Sequence, residues 1–298
     1  MIEYVTPYFR PPSEGNSFIL QATIGCSHNQ CTYCAMYRGE EQKFRARPIE
    51  EVKQIIDEAA GSGLIDDRVF IADGNALVLS QKKLVDIMGY LREKAAGLER
   101  IRMYANVGDI IRKGVENLKE LKALGLDMVY IGFESGDDVV LERIKKGANF
   151  AETVKASKVL KEAGVMNSAM VLLGMGGVER SAEHAEATGK LLTACDPEYV
   201  GALSLQLRPG APVYEEWERG EFELPDKFRM IKELEILVEN TELTDGYFFS
   251  NHISNYLPVK ARFPGDKEEV LRKIRTVLES GDESLLRPEY YREVINQY

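Results

Sequence analysis

Arg68-Val69-Phe70-Ile71-Ala72-Asp73-Gly74-Asn75 is a short apolar run ending in a turn, and from Ser80 onward Leu84, Ile87, Met88 and Leu91 recur at helical spacing. The run reads as a buried strand and the following segment as a helix packed by one face. The same order recurs in both directions along the chain. Upstream, an apolar run ends at Cys26, and Pro48 suits a helix start before Ile49, Val52, Ile55, Ile56 and Ala59. Downstream, the pattern predicts strands over 101–105, 128–133, 168–173 and 200–205, and helices over 110–124, 150–163, 181–192 and 227–240. Gly125 and Gly164 stand where helix C-caps belong. Six strand-helix units imply right-handed crossovers and a parallel sheet, an α/β fold. In barrels built this way, chemistry collects just beyond the C-terminal ends of the strands. Cys26, Asp73-Gly74-Asn75, Asn106, Glu134-Ser135 and Gly174 all fall there.

Three of the four cysteines lie on one loop, Gly25-Cys26-Ser27-His28-Asn29-Gln30-Cys31-Thr32-Tyr33-Cys34. Three thiolates can hold three irons of a cubane and leave the fourth open to a ligand, whereas an electron-transfer cluster usually has four cysteines. A Cys3His zinc site using His28 is the competing reading, although His28 follows Cys26 more closely than zinc-ligand spacing usually allows. A disulfide is disfavoured by the absence of a secretory pattern. Cys195, far along the chain, is expected to be a small buried residue at a helix end.

The Cys-x4-Cys-x2-Cys spacing, with Tyr33 directly before the last cysteine, resembles the cluster loop of radical S-adenosylmethionine (radical SAM) enzymes. Their usual spacing is Cys-x3-Cys-x2-Cys, so this loop carries one extra residue. The stretch Leu124-Gly125-Leu126-Asp127-Met128-Val129-Tyr130-Ile131-Gly132-Phe133-Glu134-Ser135-Gly136 follows later in the chain. With Val140-Leu141 and Lys145-Lys146-Gly147 after it, it is similar to the branch containing oxygen-independent coproporphyrinogen oxidase and the methylthiotransferases. The resemblance implies a partial, laterally open (β/α)6 TIM-like barrel with a C-terminal extension. It implies a 4Fe-4S cluster on Cys26, Cys31 and Cys34, and S-adenosylmethionine (SAM) at the open iron. Glu134 would contact the SAM ribose and Lys146 its carboxylate. Asp73-Gly74-Asn75 stands where the family has Gly-Gly-Glu, a turn whose backbone receives the methionine ammonium. Gly174, followed by Gly176-Gly177, and the Tyr33 backbone would approach adenine; Asn106, Ser135 and Arg208 complete the expected cofactor-binding set. The implied activity is reductive cleavage of SAM to a 5′-deoxyadenosyl radical that takes hydrogen from a small-molecule substrate, with flavodoxin or ferredoxin as electron donor. Such chemistry asks the protein for positioning and enclosure rather than a catalytic triad, and oxygen-labile clusters suit anaerobic conditions. A tetrapyrrole-binding or haem-delivery protein that keeps the cluster loop is the main alternative. A structural metal-binding or electron-transfer protein is a third.

Composition narrows the classes further. A chain of 298 residues, 44% hydrophobic and 29% charged, can bury a sizeable core. The expected organisation is an N-terminal arm over 1–16, the partial barrel over 17–242 and an extension over 243–298 that closes the barrel or the substrate site. No apolar run reaches the ~18 residues of a membrane span, and the N-terminus lacks a signal-peptide pattern, so a cytoplasmic protein is expected. A net charge of -10 without Lys/Arg blocks argues against a nucleic-acid partner. Lys113, Lys119, Lys122 and Lys145 read as solvated helix faces, and His184 as a surface residue. Beyond the last predicted strand, Tyr247-Phe248-Phe249-Ser250-Asn251-His252-Ile253-Ser254-Asn255-Tyr256-Leu257-Pro258 interleaves aromatics and amides. Asn251, His252, Asn255 and Tyr256 are its candidate substrate contacts, against the reading of a packed crossover loop. A last helix carries Val270, Leu271, Ile274, Val277 and Leu278 on one face, and Leu285-Leu286, Tyr290-Tyr291 and Val294-Ile295 continue the apolar pattern.

Overall fold

The computed structural model describes residues 2–291. In chain order its regular elements begin with β1 (Phe18–Gln21), β2 (Thr23–Ile24), β3 (Arg45–Ala46), α1 (Ile49–Gly61), β4 (Arg68–Ala72) and α2 (Gln81–Lys94). Next come β5 (Arg100–Tyr104), α3 (Val107–Ala123), β6 (Leu126–Glu134), α4 (Asp138–Arg143), α5 (Phe150–Ala163), β7 (Met166–Leu173) and α6 (Ser181–Cys195). The chain continues through β8 (Tyr199–Ser204), α7 (Pro212–Glu218), α8 (Lys227–Glu239), β9 (Gly246–Phe249), β10 (Lys260–Phe263) and α9 (Lys267–Ser280). The strand order is β1-β4-β5-β6-β7-β8-β9-β10 in one sheet, with β2 and β3 forming a separate antiparallel hairpin. Thus the six expected strand-helix units are present; β1–β4, β4–β5, β5–β6, β7–β8 and β8–β9 pair in parallel, and β9–β10 is antiparallel.

Local chemistry explains most element boundaries. The Ser80 hydroxyl accepts the Lys83 N–H at the start of α2, and the Asp226 carboxylate accepts the Arg229 N–H at the start of α8. Pro48 is the N-cap of α1, and its apolar stripe Val52, Ile55, Ile56 and Ala59 is buried as predicted. The helix predicted over 110–124 instead runs Val107–Ala123 and is broken at Gly114, whose φ of 68° is outside helical space. Lys113, expected in solvent, is buried and donates to the Leu79 carbonyl, because it stands three residues after Ile110 on the buried face of α3. The sequence reading lacked β9 and β10. The first pairs parallel to β8, with Tyr199 opposite Tyr247 and Gly201 opposite Phe249, and the second returns antiparallel to it.

The chain forms two compact units, Met1–Asn29, Met36–Ile131 and Lys158–Asn167 in the first, and Gln30–Ala35, Gly132–Ser157 and Ser168–Tyr298 in the second. In the first unit Leu20, Ile56, Phe70, Ile71, Leu84 and Leu91 are fully buried. There the N-terminal arm buries Glu14, whose carboxylate accepts from Arg102 (3.0 Å), Ser17 (2.5 Å) and the Tyr130 hydroxyl. A buried carboxylate with three donors is the arrangement that offsets its desolvation. In the second unit α4 buries Val140 and Leu141 in a cluster with Met175, Leu205, Val213 and Phe222. Helix α9 buries Val270, Leu271, Ile274 and Val277 on the predicted face. Val294 and Ile295 lie outside the described residues. Among the described residues no helix is long and apolar enough to cross a membrane.

Candidate functional site

In the first unit, the chain leaves β2 through Gly25, with φ 72°; a Cβ there would overlap the Gln42 carbonyl oxygen, so only glycine permits the exit. Cys26 follows, half-buried. Gly74 packs directly on it: a Cβ at Gly74 would lie 2.9 Å from the Cys26 Cβ and 2.7 Å from the Tyr37 ring. The side chains on either side of Gly74 turn into the fold. Asp73 accepts Gln21 Nε2–H (2.7 Å) and the Tyr37 hydroxyl (3.3 Å). Burial pushes its carboxyl up to about 6, against the pull of these donors and of the Gly25 and Phe9 N–H groups. Asn75, fully buried, donates to Ser27 Oγ (2.7 Å) and to Asp109, and its oxygen accepts the Asn106 N–H (3.2 Å). The Asp73 and Asn75 side chains are therefore both occupied within the fold. The lengthened loop turns at Asn29, which has φ 42° and donates its amide to the Tyr37 carbonyl (2.8 Å). Asparagine is among the residues that tolerate that conformation.

In the second unit, the loop from Gln30 to Ala35 is stitched down by backbone. The Thr32 N–H donates to the Ile144 carbonyl (3.0 Å), the Val213 N–H to the Thr32 carbonyl (3.0 Å) and the Cys34 N–H to the Cys31 carbonyl (3.3 Å). Cys26, Cys31 and Cys34 are reduced thiols of intermediate exposure, in no disulfide, and Cys195 is buried at the end of α6 as expected. Among the described residues no three His, Cys, Asp or Glu side chains gather as ligands of a single ion. A cubane imposes no such convergence, because each thiolate takes its own iron. Three reduced, partly exposed thiols close in sequence have the donor chemistry that such a cluster takes.

Glu134 ends β6 in the left-handed region, φ 64°, with 7% of its surface exposed. Its Oε1 accepts the Tyr33 hydroxyl (2.7 Å) and Lys146 Nζ–H (3.0 Å), while among the described residues Oε2 accepts no hydrogen bond. Gly132 makes the arrangement possible, since a Cβ there would overlap Glu134 Oε1 and lie 2.9 Å from Lys146 Nζ. Burial, then the charges of Glu134, Cys31 and Cys34, raise the Tyr33 phenol well above its ordinary range, so it remains a donor. Ser135, fully buried, is bonded to His184 (2.7 Å) and accepts the Asp137 N–H (3.0 Å). His184 was expected at the surface and is 1% exposed, because helix α6 lays that face against β7 and the turn after β6.

After β7, Gly174 has φ 84° and donates its N–H to Glu233 Oε2 (2.6 Å). Glu233, on α8, also accepts the Ser181 hydroxyl (2.6 Å) and is completely buried; that burial pushes its carboxyl up to about 7. Arg208 is half-exposed in the turn after β8. His252 follows β9, with Nδ1 accepting the Ser254 N–H (3.2 Å), and its basicity is lowered by burial and by Arg287 and Arg208. Asn251 is exposed. Asn255 is committed to the fold: it donates to the Ala202 carbonyl (2.7 Å) and Ser250 Oγ, and accepts from the Ser204 N–H and Ser254 Oγ. Tyr256 is buried and donates to Glu289 (3.2 Å). His184 and Glu233 were missed as parts of this constellation. Their signal was a polar residue on an apolar helix stripe, His184 beside Thr188 and Leu191, Glu233 beside Met230 and Leu237.

The chain is 24% identical over 227 residues to the heme chaperone HemW of Bacillus subtilis, covering 73% of this chain and 58% of that protein. It is 23% identical over 281 residues to the threonylcarbamoyladenosine tRNA methylthiotransferase MtaB of Rickettsia prowazekii, covering 81% and 60%. The chain thus spans less than two-thirds of the length of these curated relatives. Among solved structures, coproporphyrinogen III oxidase (HemN) from Escherichia coli superposes with a TM-score of 0.56 at 15% identity, covering 75% of this chain and 51% of that one. That likeness extends to the partial TIM-type barrel fold expected from the sequence. Residues 20–191, more than half of the chain, match the radical SAM superfamily, and the chain belongs to that superfamily.

Proposed function

We propose that the protein is a radical SAM enzyme that takes a hydrogen atom from a small-molecule substrate. The observation that carries this reading is Glu134, with one oxygen bonded to Tyr33 and Lys146 and the other accepting no hydrogen bond among the described residues. Tyr33 lies between Cys31 and Cys34, so the same hydrogen bond ties the cysteine loop to that acceptor. A 4Fe-4S cluster on Cys26, Cys31 and Cys34 would supply the electron that cleaves bound SAM reductively and yields the 5′-deoxyadenosyl radical. The chain's residues do the rest by placement. Glu134 Oε2 accepts a ribose hydroxyl, and Lys146 brings positive charge to the methionine carboxylate. The backbone of Asp73-Gly74-Asn75 receives the ammonium, which explains how a turn with polar flanks serves where the family has Gly-Gly-Glu. Gly174 and the Tyr33 backbone leave room for adenine. His252 holds a neutral ring whose Nδ1 is occupied by the Ser254 N–H, so Nε2–H is the donor it offers a substrate. The acidic chain and its lack of basic blocks favour a small molecule over RNA, and flavodoxin or ferredoxin would supply the electron. The test is anaerobic cluster reconstitution followed by dithionite and SAM, with 5′-deoxyadenosine as readout. A fully loaded protein that forms none, with or without a reductase system and cell-extract metabolites, would sink the reading.

The similarity to a heme chaperone supports a second reading, haem delivery by a chain that keeps the cysteine loop. Haem titration decides it. A saturable one-to-one Soret shift without 5′-deoxyadenosine formation would favour delivery.

A further inference from the structure

We infer that His184 is a positioning residue for Glu134, acting through Ser135. The inference rests on the reading of Glu134 as a SAM contact and adds a residue to it. His184 Nε2 lies 2.9 Å from the Leu172 carbonyl oxygen, which can only accept, so Nε2 carries a proton. Burial pushes the imidazole down to about 4, and Asp137, the acid that raises it, is ion-paired with Arg180 at 2.8 Å. The ring is therefore neutral at working pH, and its Nδ1 is an acceptor. The Ser135 hydroxyl must donate to it (2.7 Å), which leaves the Ser135 oxygen to accept the Asp137 N–H (3.0 Å). Both roles of that hydroxyl are thus fixed by one tautomer. The next residue is held by the same helix: the Gly136 N–H donates to Thr188 Oγ1 (2.9 Å), and a Cβ at Gly136 would overlap the Ala187 carbonyl oxygen. Glu134 needs such support. Its left-handed backbone is one that a glutamate adopts only when its surroundings over-determine it.

The test uses the cluster-loaded full chain with His184→Leu, His184→Gln and Ser135→Ala, the last removing only a hydroxyl and leaving α6 intact. Two readouts are taken: amide hydrogen exchange at residues 134–136 without ligand, and the Kd for SAM at matched iron content. His184→Leu and Ser135→Ala should each speed exchange there and weaken SAM binding about tenfold, the effect of losing one buried hydrogen bond. His184→Gln keeps a donor and an acceptor and should recover most of both. The double variant His184→Leu/Ser135→Ala should be no worse than either single change, because both break one linkage. Unchanged exchange at 134–136 in Ser135→Ala, or additive losses in the double variant, overturns the proposal. A wild-type protein that fails to bind SAM overturns the assignment of Glu134 instead, while the ligand-free exchange still decides the role of His184.

Discussion

Replacing Glu233 by glutamine should make the protein more stable at alkaline pH and leave it nearly unchanged in mild acid. Glu233 is completely buried, accepts the Gly174 N–H and the Ser181 hydroxyl, and has its carboxyl raised from 4.5 to about 7 by desolvation. A group whose folded pKa is raised binds its proton more tightly in the folded state. Stability is therefore highest below pH 4.5 and falls as pH rises to about 7, where the buried carboxyl ionises. At about 1.4 kcal/mol for each pH unit between those values, the cost is about 3 kcal/mol. Glutamine avoids it: its carbonyl can accept the Gly174 N–H, its amide can donate to Ser181 Oγ, and it never ionises. Asp73, raised to about 6, and His184, lowered to about 4, titrate equally in both proteins and cancel in the difference. Thermal unfolding of cluster-loaded wild type and Glu233→Gln from pH 5 to 8.5 measures that difference. At about 2 °C per kcal/mol for a chain of this size, the variant's advantage should grow with pH to several degrees. A difference that stays flat across the range would refute the reasoning, since it would mean that the carboxyl ionises at its ordinary pKa.

Other substitutions separate the roles. Cys31→Ala should abolish both the iron-sulfur absorbance and SAM cleavage, and retention of both would remove it from the cluster. Tyr33→Phe deletes one hydrogen bond to a carboxylate and should raise the SAM Kd by about tenfold with iron content unchanged, as read by equilibrium binding; an unaltered Kd would detach Tyr33 from Glu134. His252→Ala should leave cluster loading and uncoupled 5′-deoxyadenosine formation intact and impair only substrate turnover, so loss of the cluster would show that it is misplaced. Asn255→Leu removes the amide that donates to the Ala202 carbonyl and Ser250 Oγ and should destabilise the fold by about 2 kcal/mol or more; a stable variant with defective turnover would instead make Asn255 a substrate contact.

What the sequence made legible was whatever is local. Helix α5 starts at Phe150 and ends at Ala163 as predicted because its periodicity and Gly164 lie within a few residues of one another. The three cysteines occupy one loop, and Glu134 and Lys146 stand twelve residues apart around α4. By contrast, β9 and β10 are four-residue strands whose identity depends on pairing with β8 and with each other, and a Tyr-Phe-Phe run carries no period long enough to announce it. Lys113 was misread because its charge was weighed above its place, three residues after Ile110 on the buried face of α3.

The polar residues that escaped the sequence reading share a physical character. Asn75 finds Asp109 across 34 positions, Ser135 finds His184 across 49 and Gly174 finds Glu233 across 59. Each partnership ends in the turn just beyond a strand, after β4, β6 and β7 respectively, where this architecture places its chemistry. A buried amide, imidazole or carboxyl is costly unless its hydrogen bonds are made, and each of these makes them to a neighbouring element rather than to its own. Those turns are consequently held by contacts that no local motif encodes. The residue types proposed to touch SAM can be read from a dozen positions of sequence, while the turn that follows Glu134 is held through Ser135 by a histidine fifty residues away.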